Sequence, residues 1–504
     1  MKLKQTAALS ALLAAMAGAG YAQELRIGLQ DDADALDPDQ SRTFVGRIVY
    51  TALCDKLIDI TPDLEFIPQL ATDWSWNDDE TELTMRLRED VVFHDGTPFD
   101  AEAVVYNIDR SLNLPESRRS SEIASVEGAE VVDEHTVVIT VSQTDATLLA
   151  QLADRAGMMI SPAAAEEQGT DFGSNPVCSG PFSFVERVQQ DRIELERFDD
   201  YWNADDIHLD TVVFLPIPDT SVRLANLRSG DLDMIERLAA TDFQSASNDD
   251  ALRVEDVVAL GYQGITMNVG NGERAEGPFG QETALRQALH LAIDREALNQ
   301  VAFDGAFAPG NQPFPPDSPF YDDRFPVPER DPERARELLE EAGHGDGVTL
   351  EVQMANNPVQ TQVMEIIQAM AAEVGIDVSL RATEFATMLD QQAAGNFEGS
   401  QVGWSGRVDP DGNIHQFLHC EGGLNDGGWC HERTDELLDG ARTTNDVDAR
   451  KDMYDEAREI FDAEQPIIYL YHPSWIWAMD ASIEGFVPNP DGMIRLEGVR
   501  YAAE

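Results

Sequence analysis

Hydrophobic positions recur with period two in some stretches of the chain and with the helical period in others. Leu83, Met85 and Leu87 alternate with Thr84, Arg86 and Arg88, which predicts a half-buried strand. Similar short runs predict strands at 24–29, 136–141 and 193–197. Val45, Ile48, Val49 and Ala52 share one face of a helix that Ser41 or Thr43 can cap. Val104, Val105, Ile108 and Leu112 do the same behind an N-cap at Asp100. A helix over 220–228 stops at Gly230. The stripe of Leu285, Ala288, Leu289, Ala292 and Ile293 predicts one helix over 284–301. Asp331 and Pro332 open another, which Gly343 closes.

The stretch 348–404 is the most regular. Strands at 348–354, 376–380 and 400–404 alternate with helices at 361–374 and 385–393. This βαβαβ order implies a parallel sheet with right-handed crossovers. Ligands of such sheets bind outside the carboxyl ends of the strands, where Asn356 and Trp404 fall. After Trp404, Gly406, Pro410 and Gly412 interrupt regular structure, while Arg407, Asp409, Asp411, Asn413 and His415 crowd together. A charged loop beside a large aromatic can hold a small polar ligand. The same DPDG segment is also good turn chemistry, with Arg407 paired to Asp409 or Asp411 across it. A helix at 449–461, a strand at 467–471 and a tail of short strands follow, and the tail can return to the first domain. The chain then crosses between lobes near 262–268 and 472–486, which would make a hinge with a ligand cleft between the lobes.

The ends and the charge narrow the setting. Lys2 and Lys4 precede an apolar run at 7–19, and Gly20 and Ala22 are small residues at the −3 and −1 positions of a cleavage site. Residues 1–22 therefore read as a secretory signal peptide cleaved after Ala22, and the run is too short to span a bilayer. The mature chain is long enough for two or three cores. The whole chain carries a net charge of −59, and removing Lys2 and Lys4 makes it more negative still. Such a field argues against nucleic acid or anionic membrane as partners. Four cysteines in an exported chain suggest two disulfides: Cys420–Cys430 across a short loop, and Cys54–Cys178 by elimination. A metal site is the competing reading, because His415 and His419 have helical i, i+4 spacing near Cys420, Cys430 and His431.

Several segments resemble those of the extracytoplasmic solute-binding proteins of ABC importers, in the large peptide/nickel-binding family 5. They are LATDW at 70–74, VVFHDGTPFDAEAVVYNIDR at 91–110, CSGPFSF around Gly180, LERFDDYW ending at Trp202, SGDLDMI from Ser229, and LRQALHLAIDREAL from Leu285. Together and in this order they span nearly the whole mature chain. The resemblance implies an α/β, two-lobed periplasmic-binding-protein fold, type II-like, with an extra subdomain in the first lobe. The expected bounds are 23–262 for lobe I, with the subdomain at about 70–180, then 263–475 for lobe II and 476–504 returning to lobe I. It also implies a monomeric periplasmic protein without cofactor or bound metal. That protein captures a small molecule or peptide and delivers it to ABC permease subunits. FHDGTPF reads as structural, with Asp95-Gly96 as a turn and Phe93 and Phe99 packed.

Dipeptide binders of this family carry an Asp just after the W-x-G of the site loop and an Arg at the end of the strand matching 348–354. Here those positions hold Arg407 and Met354 or Ala355, although Asp409 can take the amine-binding role if one residue is gapped. Arg407 suggests a carboxylate or another anion, because a guanidinium offers two parallel donors. Trp404 can cover the apolar part of the ligand. Arg42 and Tyr262 are the first-lobe and hinge candidates, and Asn356 completes the set of ligand-binding residues. An oligosaccharide, an opine-like anion or a nickel complex is the alternative cargo. No G-x-S-x-G, H-E-x-x-H, Walker loop or G-x-G-x-x-G after a strand is present, so binding without turnover is favoured over a secreted hydrolase.

Overall fold

The structure, a computed structural model, describes residues 23–502, so the leader expected at 1–22 lies outside the described residues. Two mixed sheets organise the chain. The first has seven strands in the order Leu252–Val258, Ser474–Asp480, Met234–Ile235, Glu24–Leu29, Thr211–Pro216, Arg192–Arg197 and Phe182–Val188. The second has six, in the order Ala308–Pro309, Ile467–His472, Tyr262–Met267, Gly399–Trp404, Val348–Ala355 and Ile376–Thr383. A four-stranded antiparallel sheet, Ala71–Trp76, Glu82–Leu87, Thr136–Val141 and Val126–Asp133, forms a subdomain on the first lobe. Helix Ala101–Asn113 packs its buried Val104 and Ile108 into the core of this subdomain.

The parallel unit predicted from the sequence is present. Val348–Ala355 pairs in parallel with Ile376–Thr383 on one side and Gly399–Trp404 on the other. Helix Pro358–Ala372 connects the first two strands, and Asn357 caps it by accepting the Gln360 N–H at 2.9 Å. Leu350, Val352, Ile376 and Val378 are fully or nearly fully buried, as strands covered by helices require.

Two local expectations change. The apolar stripe over 284–301 is two helices, Thr283–Ala292 and Arg295–Phe303. The break comes at Asp294, whose carboxylate accepts the Ala297 N–H at 2.9 Å and so starts a new helix. The segment after Trp404 is also shorter as a loop than expected, because helix Asp411–Leu418 begins inside it. Asp409 Oδ1 accepts the Asp411 N–H at 2.9 Å, and Asp411 places a negative charge in the first turn, where the helix dipole favours it.

The chain passes between the two large sheets at 259–261 and again at Pro473. The two crossings are tied together. Ala259 N–H donates to Pro473 O at 2.8 Å, and His472 Nδ1 donates to Gly261 O at 2.8 Å. The tail packs Phe486, Met493, Ile494, Leu496 and Val499 into the core of the first lobe. Two disulfides form, Cys54–Cys178 and Cys420–Cys430. Among the described residues no helix is long and apolar enough to cross a membrane.

Candidate functional site

The loop that leaves strand Gly399–Trp404 is held by one side chain. Asn413 Oδ1 accepts the Arg407 N–H at 2.7 Å and the Trp404 Nε1–H at 3.0 Å, while its Nδ2 donates to Arg407 O at 2.8 Å. The Arg407 guanidinium lies over the Trp404 ring, 4.3 Å from its centroid, and donates to Gly406 O at 2.8 Å. Gly406 has a φ of +88°, a left-handed turn that suits glycine.

Arg407 does not pair with the acids of its own loop. Asp409 is bound by both Nη atoms of Arg450 at 2.7 and 2.9 Å, and Asp411 by Arg442 at 2.7 and 3.1 Å. Arg407 instead reaches the first lobe, with Nε 3.5 Å from Asp154 Oδ2. Asp154 starts the short turn Arg155–Gly157 and is also held by Arg47, from Nη2 at 3.0 Å and from Nε at 3.0 Å. Val408 follows into the first lobe and packs against the subdomain core. A hydrogen bond from Ala146 N–H to Arg442 O, 2.9 Å, adds a second contact across the cleft.

Between these groups remains a cavity of about 10 Å³, bordered by Arg47, Gln151, Asp154, Leu260, Arg407 and Asp409. That is roughly the room one water needs. The lobes are therefore closed on each other, with charged side chains filling the space. Arg119 and Arg155 stand behind the cavity, each donating to Ser41 O, at 3.3 and 2.9 Å. Arg119 is also paired with Glu122 at 2.9 Å.

Burial and crowding of like charges shape the electrostatics. Burial, and then the proximity of Arg47, lowers the Arg407 guanidinium to about 10. Burial, and then Arg119, lowers Arg155 to about 9. Burial by itself would raise the Asp154 carboxyl. Arg47, Arg407, Arg155 and Arg119 overcome it and hold the group well below the usual carboxylate range.

Of the residues singled out in the sequence, Trp404, Arg407 and Asp409 come together in this loop. Tyr262 pairs in register with Trp404 but is 3% exposed, packed against Tyr469 and Phe417. Arg42 is exposed, next to the Ser41 carbonyl that Arg119 and Arg155 share, with its own N–H on Asp34. Asn356 is exposed at the carboxyl end of its strand, with its N–H on Thr383 O. The sequence reading did not single out Arg47, Asp154, Arg119 or Arg155. Only their joint approach in space marks them.

His94 is a structural histidine. Nε2 donates to Gly180 O at 3.0 Å, Nδ1 accepts the Cys178 N–H at 3.3 Å, and burial lowers it to about 4. His415 and His419 stack 4.5 Å apart and both direct Nε2 at Asp439 Oδ1, at 3.3 and 3.5 Å. The Glu421 N–H donates to His419 Nδ1 at 3.1 Å. His415, His419 and Asp439 bring their ligand atoms within 4.8 Å of one another, a grouping that could hold a metal ion. Cys420 and Cys430 are consumed by their disulfide.

Comparison with known proteins places the chain. Residues 65–425 match the family described as bacterial extracellular solute-binding proteins, family 5 Middle. A glutathione-binding protein, GsiB, of Pectobacterium atrosepticum is 29% identical over 494 residues, covering 94% of each chain. The solved structure of the ABC transporter-associated periplasmic binding protein DppA from Helicobacter pylori, in complex with the peptide STSA, superposes with a TM-score of 0.86. It is 22% identical and covers 95% of this chain and 98% of that one. The protein AgaA of A. tumefaciens R10, solved with agropinic acid, gives a TM-score of 0.83 at 25% identity, with 95% and 99% coverage. These relatives are binding proteins rather than enzymes, and the two-lobed fold is shared across them. The chain belongs to family 5 of the bacterial extracellular solute-binding proteins.

Proposed function

We propose that this protein captures a small peptide or amino-acid-derived solute between its lobes and delivers it to an ABC permease from the periplasm. The observation that carries the reading is the meeting of Arg407 and Asp154 across the cleft, in a chain of a solute-binding family whose relatives include a glutathione-binding protein. Arg407 supplies donors for a carboxylate, and Trp404 supplies an apolar wall beside them. Arg42 and Asn356 are exposed and remain candidate contacts for the solute, while Tyr262 and Asp409 hold the loop and the hinge in shape. Contacts to both lobes would shift the balance between open and closed forms toward closed.

A thermal-shift screen tests this on mature protein freed of bound solute. It covers peptides, glutathione, N-carboxyalkyl amino acids, oligosaccharides and nickel complexes. A peptide or amino-acid derivative at a hundredfold excess over its Kd should stabilise the protein by about 2.7 kcal/mol. It should be recovered unchanged after prolonged incubation. Response to oligosaccharides alone, or steady conversion of the solute, would sink the reading.

A further inference from the structure

Six charged side chains influence one another around the cleft: Arg47, Arg119, Arg155 and Arg407 against Asp154 and Glu122. The cavity's other acids, Asp409 and Asp491, are taken by Arg450 and Arg495, which leaves four guanidiniums facing two carboxylates, a local surplus of positive charge in a protein whose net charge is −59. Arg47, Arg119, Arg155 and Asp154 are each at least nine-tenths buried. Buried charge of one sign is costly unless paired. Arg47 Nη1, Arg119 Nε and Arg155 Nε are buried without an acceptor among the described residues. Surplus charge and unused donors lie on the first-lobe side, and Arg407 answers from the second lobe. Asp154 occupies both sides at once, since Arg47 Nη2 and Arg407 Nε approach the same oxygen.

We infer that the cleft is built for a solute with two carboxylates, one met by Arg407 and the other by Arg47, with Arg119 and Arg155 behind it. Asp154 then acts as a stand-in anion. It lies between Arg47 and Arg407 and offsets their charge, and a ligand whose carboxylates took over the guanidiniums would free it to accept an ammonium. This inference rests on the cleft being the solute site. It narrows the cargo to acidic peptides and N-carboxyalkyl amino acids, and it makes the first-lobe arginines determinants of specificity.

Three probes separate the possibilities by calorimetric titration of the mature protein: Ala-Glu, Ala-Gln, and N-(1-carboxyethyl)alanine, a diacid without a peptide bond. Ala-Glu and Ala-Gln differ in little but one carboxylate. Charge-assisted hydrogen bonds to that group predict that Ala-Glu binds about 30-fold more tightly. Equal affinity for the two dipeptides overturns the inference and leaves the peptide reading standing. Binding of N-(1-carboxyethyl)alanine alone supports the inference and selects the amino-acid-derived half of the proposed solute class over the peptide half. Binding of Ala-Gln without either diacid overturns the inference, as does silence from all three probes. Arg47→Gln and Arg155→Gln should each weaken the diacid about tenfold, and an unchanged diacid affinity in both counts against the inference. If either variant does not fold, the dipeptide comparison on the unaltered protein still decides.

Discussion

Arg407 and Asp154 come from opposite lobes and meet with Nε 3.5 Å from Oδ2, at the only described contact between the site loop's cation and a first-lobe carboxylate. The pair ties closure of the cleft to charge balance. Asp154→Asn removes the anion that Arg47 and Arg407 share. The guanidiniums then repel one another with nothing between them, and breaking a buried pair costs about 3–5 kcal/mol. The ligand-free variant should therefore sample an open cleft, with a larger radius of gyration by small-angle X-ray scattering. A diacidic solute should restore the compact form. Scattering identical to that of the unaltered protein would show that Asp154 does not hold the lobes together.

Asp409 and Arg450 form a buried pair with two hydrogen bonds, at 2.7 and 2.9 Å. Asp409 also orders the start of the next helix through the Asp411 N–H. Asp409→Ala leaves the Arg450 charge buried without its partner, so it should destabilise the protein by about 3–5 kcal/mol in a denaturant titration. Solute affinity measured on the remaining folded protein should fall less than it does for Arg407→Gln. The opposite ranking, with stability kept and affinity lost, would make Asp409 a direct ligand for the solute's ammonium.

The fold was legible where local pattern and tertiary demand agree. The strand at 348–355 and its two parallel neighbours bury Leu350, Val352, Ile376 and Val378, and their apolar runs bounded by helices announce that burial. The N-caps Asp100 and Asp331 were visible for the same reason, since a cap is a local interaction, and of the two candidates Ser41 and Thr43 the structure uses Thr43. Asp294 broke an otherwise continuous apolar stripe, because its carboxylate competes for backbone N–H groups that a single helix would use internally. The site divided along the same line. Trp404, Arg407 and Asn413 lie within ten residues and stood out as a loop, whereas Arg47, Arg119 and Asp154 are ordinary charges far apart in the sequence until the first lobe folds them together and Arg407 joins them. Partner choice was also hidden: Arg407 had acids two and four residues away, yet Arg450 and Arg442 had already claimed them.

His472 sets a pH dependence at the second crossing. It is fully buried, donates from Nδ1 to Gly261 O at 2.8 Å, and leaves Nε2 without a partner. Burial lowers it to about 4, against the opposing effect of that hydrogen bond. The unfolded chain takes up this proton near pH 6.5, before the folded protein does. The stability owed to neutral His472 is therefore complete above pH 6.5, declines as pH falls toward 4, and changes no further below that. The whole step is about 3 kcal/mol. His472→Asn keeps a donor for Gly261 O and removes the titration. Its stability curve between pH 6.5 and 4 should be shallower by about one proton, measured by denaturant titration at several pH values. An unchanged slope would mean that His472 is protonated in the folded protein as readily as in the unfolded chain.

Gly261 lies in the first crossing and packs directly on the site loop. A Cβ built there would sit 1.8 Å from Trp404 O and 2.6 Å from Ser405 C, both backbone atoms that cannot rotate away. Gly261→Ala must then push strand Tyr262–Met267 and the loop carrying Arg407 apart, which moves the second-lobe half of the cleft relative to the first. Overpacking of this kind costs about 1–3 kcal/mol. Tyr262 pairs in register with Trp404 in the same sheet, so the cost falls on the second-lobe half of the site itself. Solute affinity should drop about tenfold or more for a penalty of that size, while the circular dichroism spectrum stays unchanged. Gly128→Ala is the matched control, because a Cβ there meets nothing within 4 Å. The two variants should differ sharply in affinity and little in secondary structure. If Gly261→Ala binds solute as tightly as Gly128→Ala, the close approach of Gly261 to the site loop does not position the solute site.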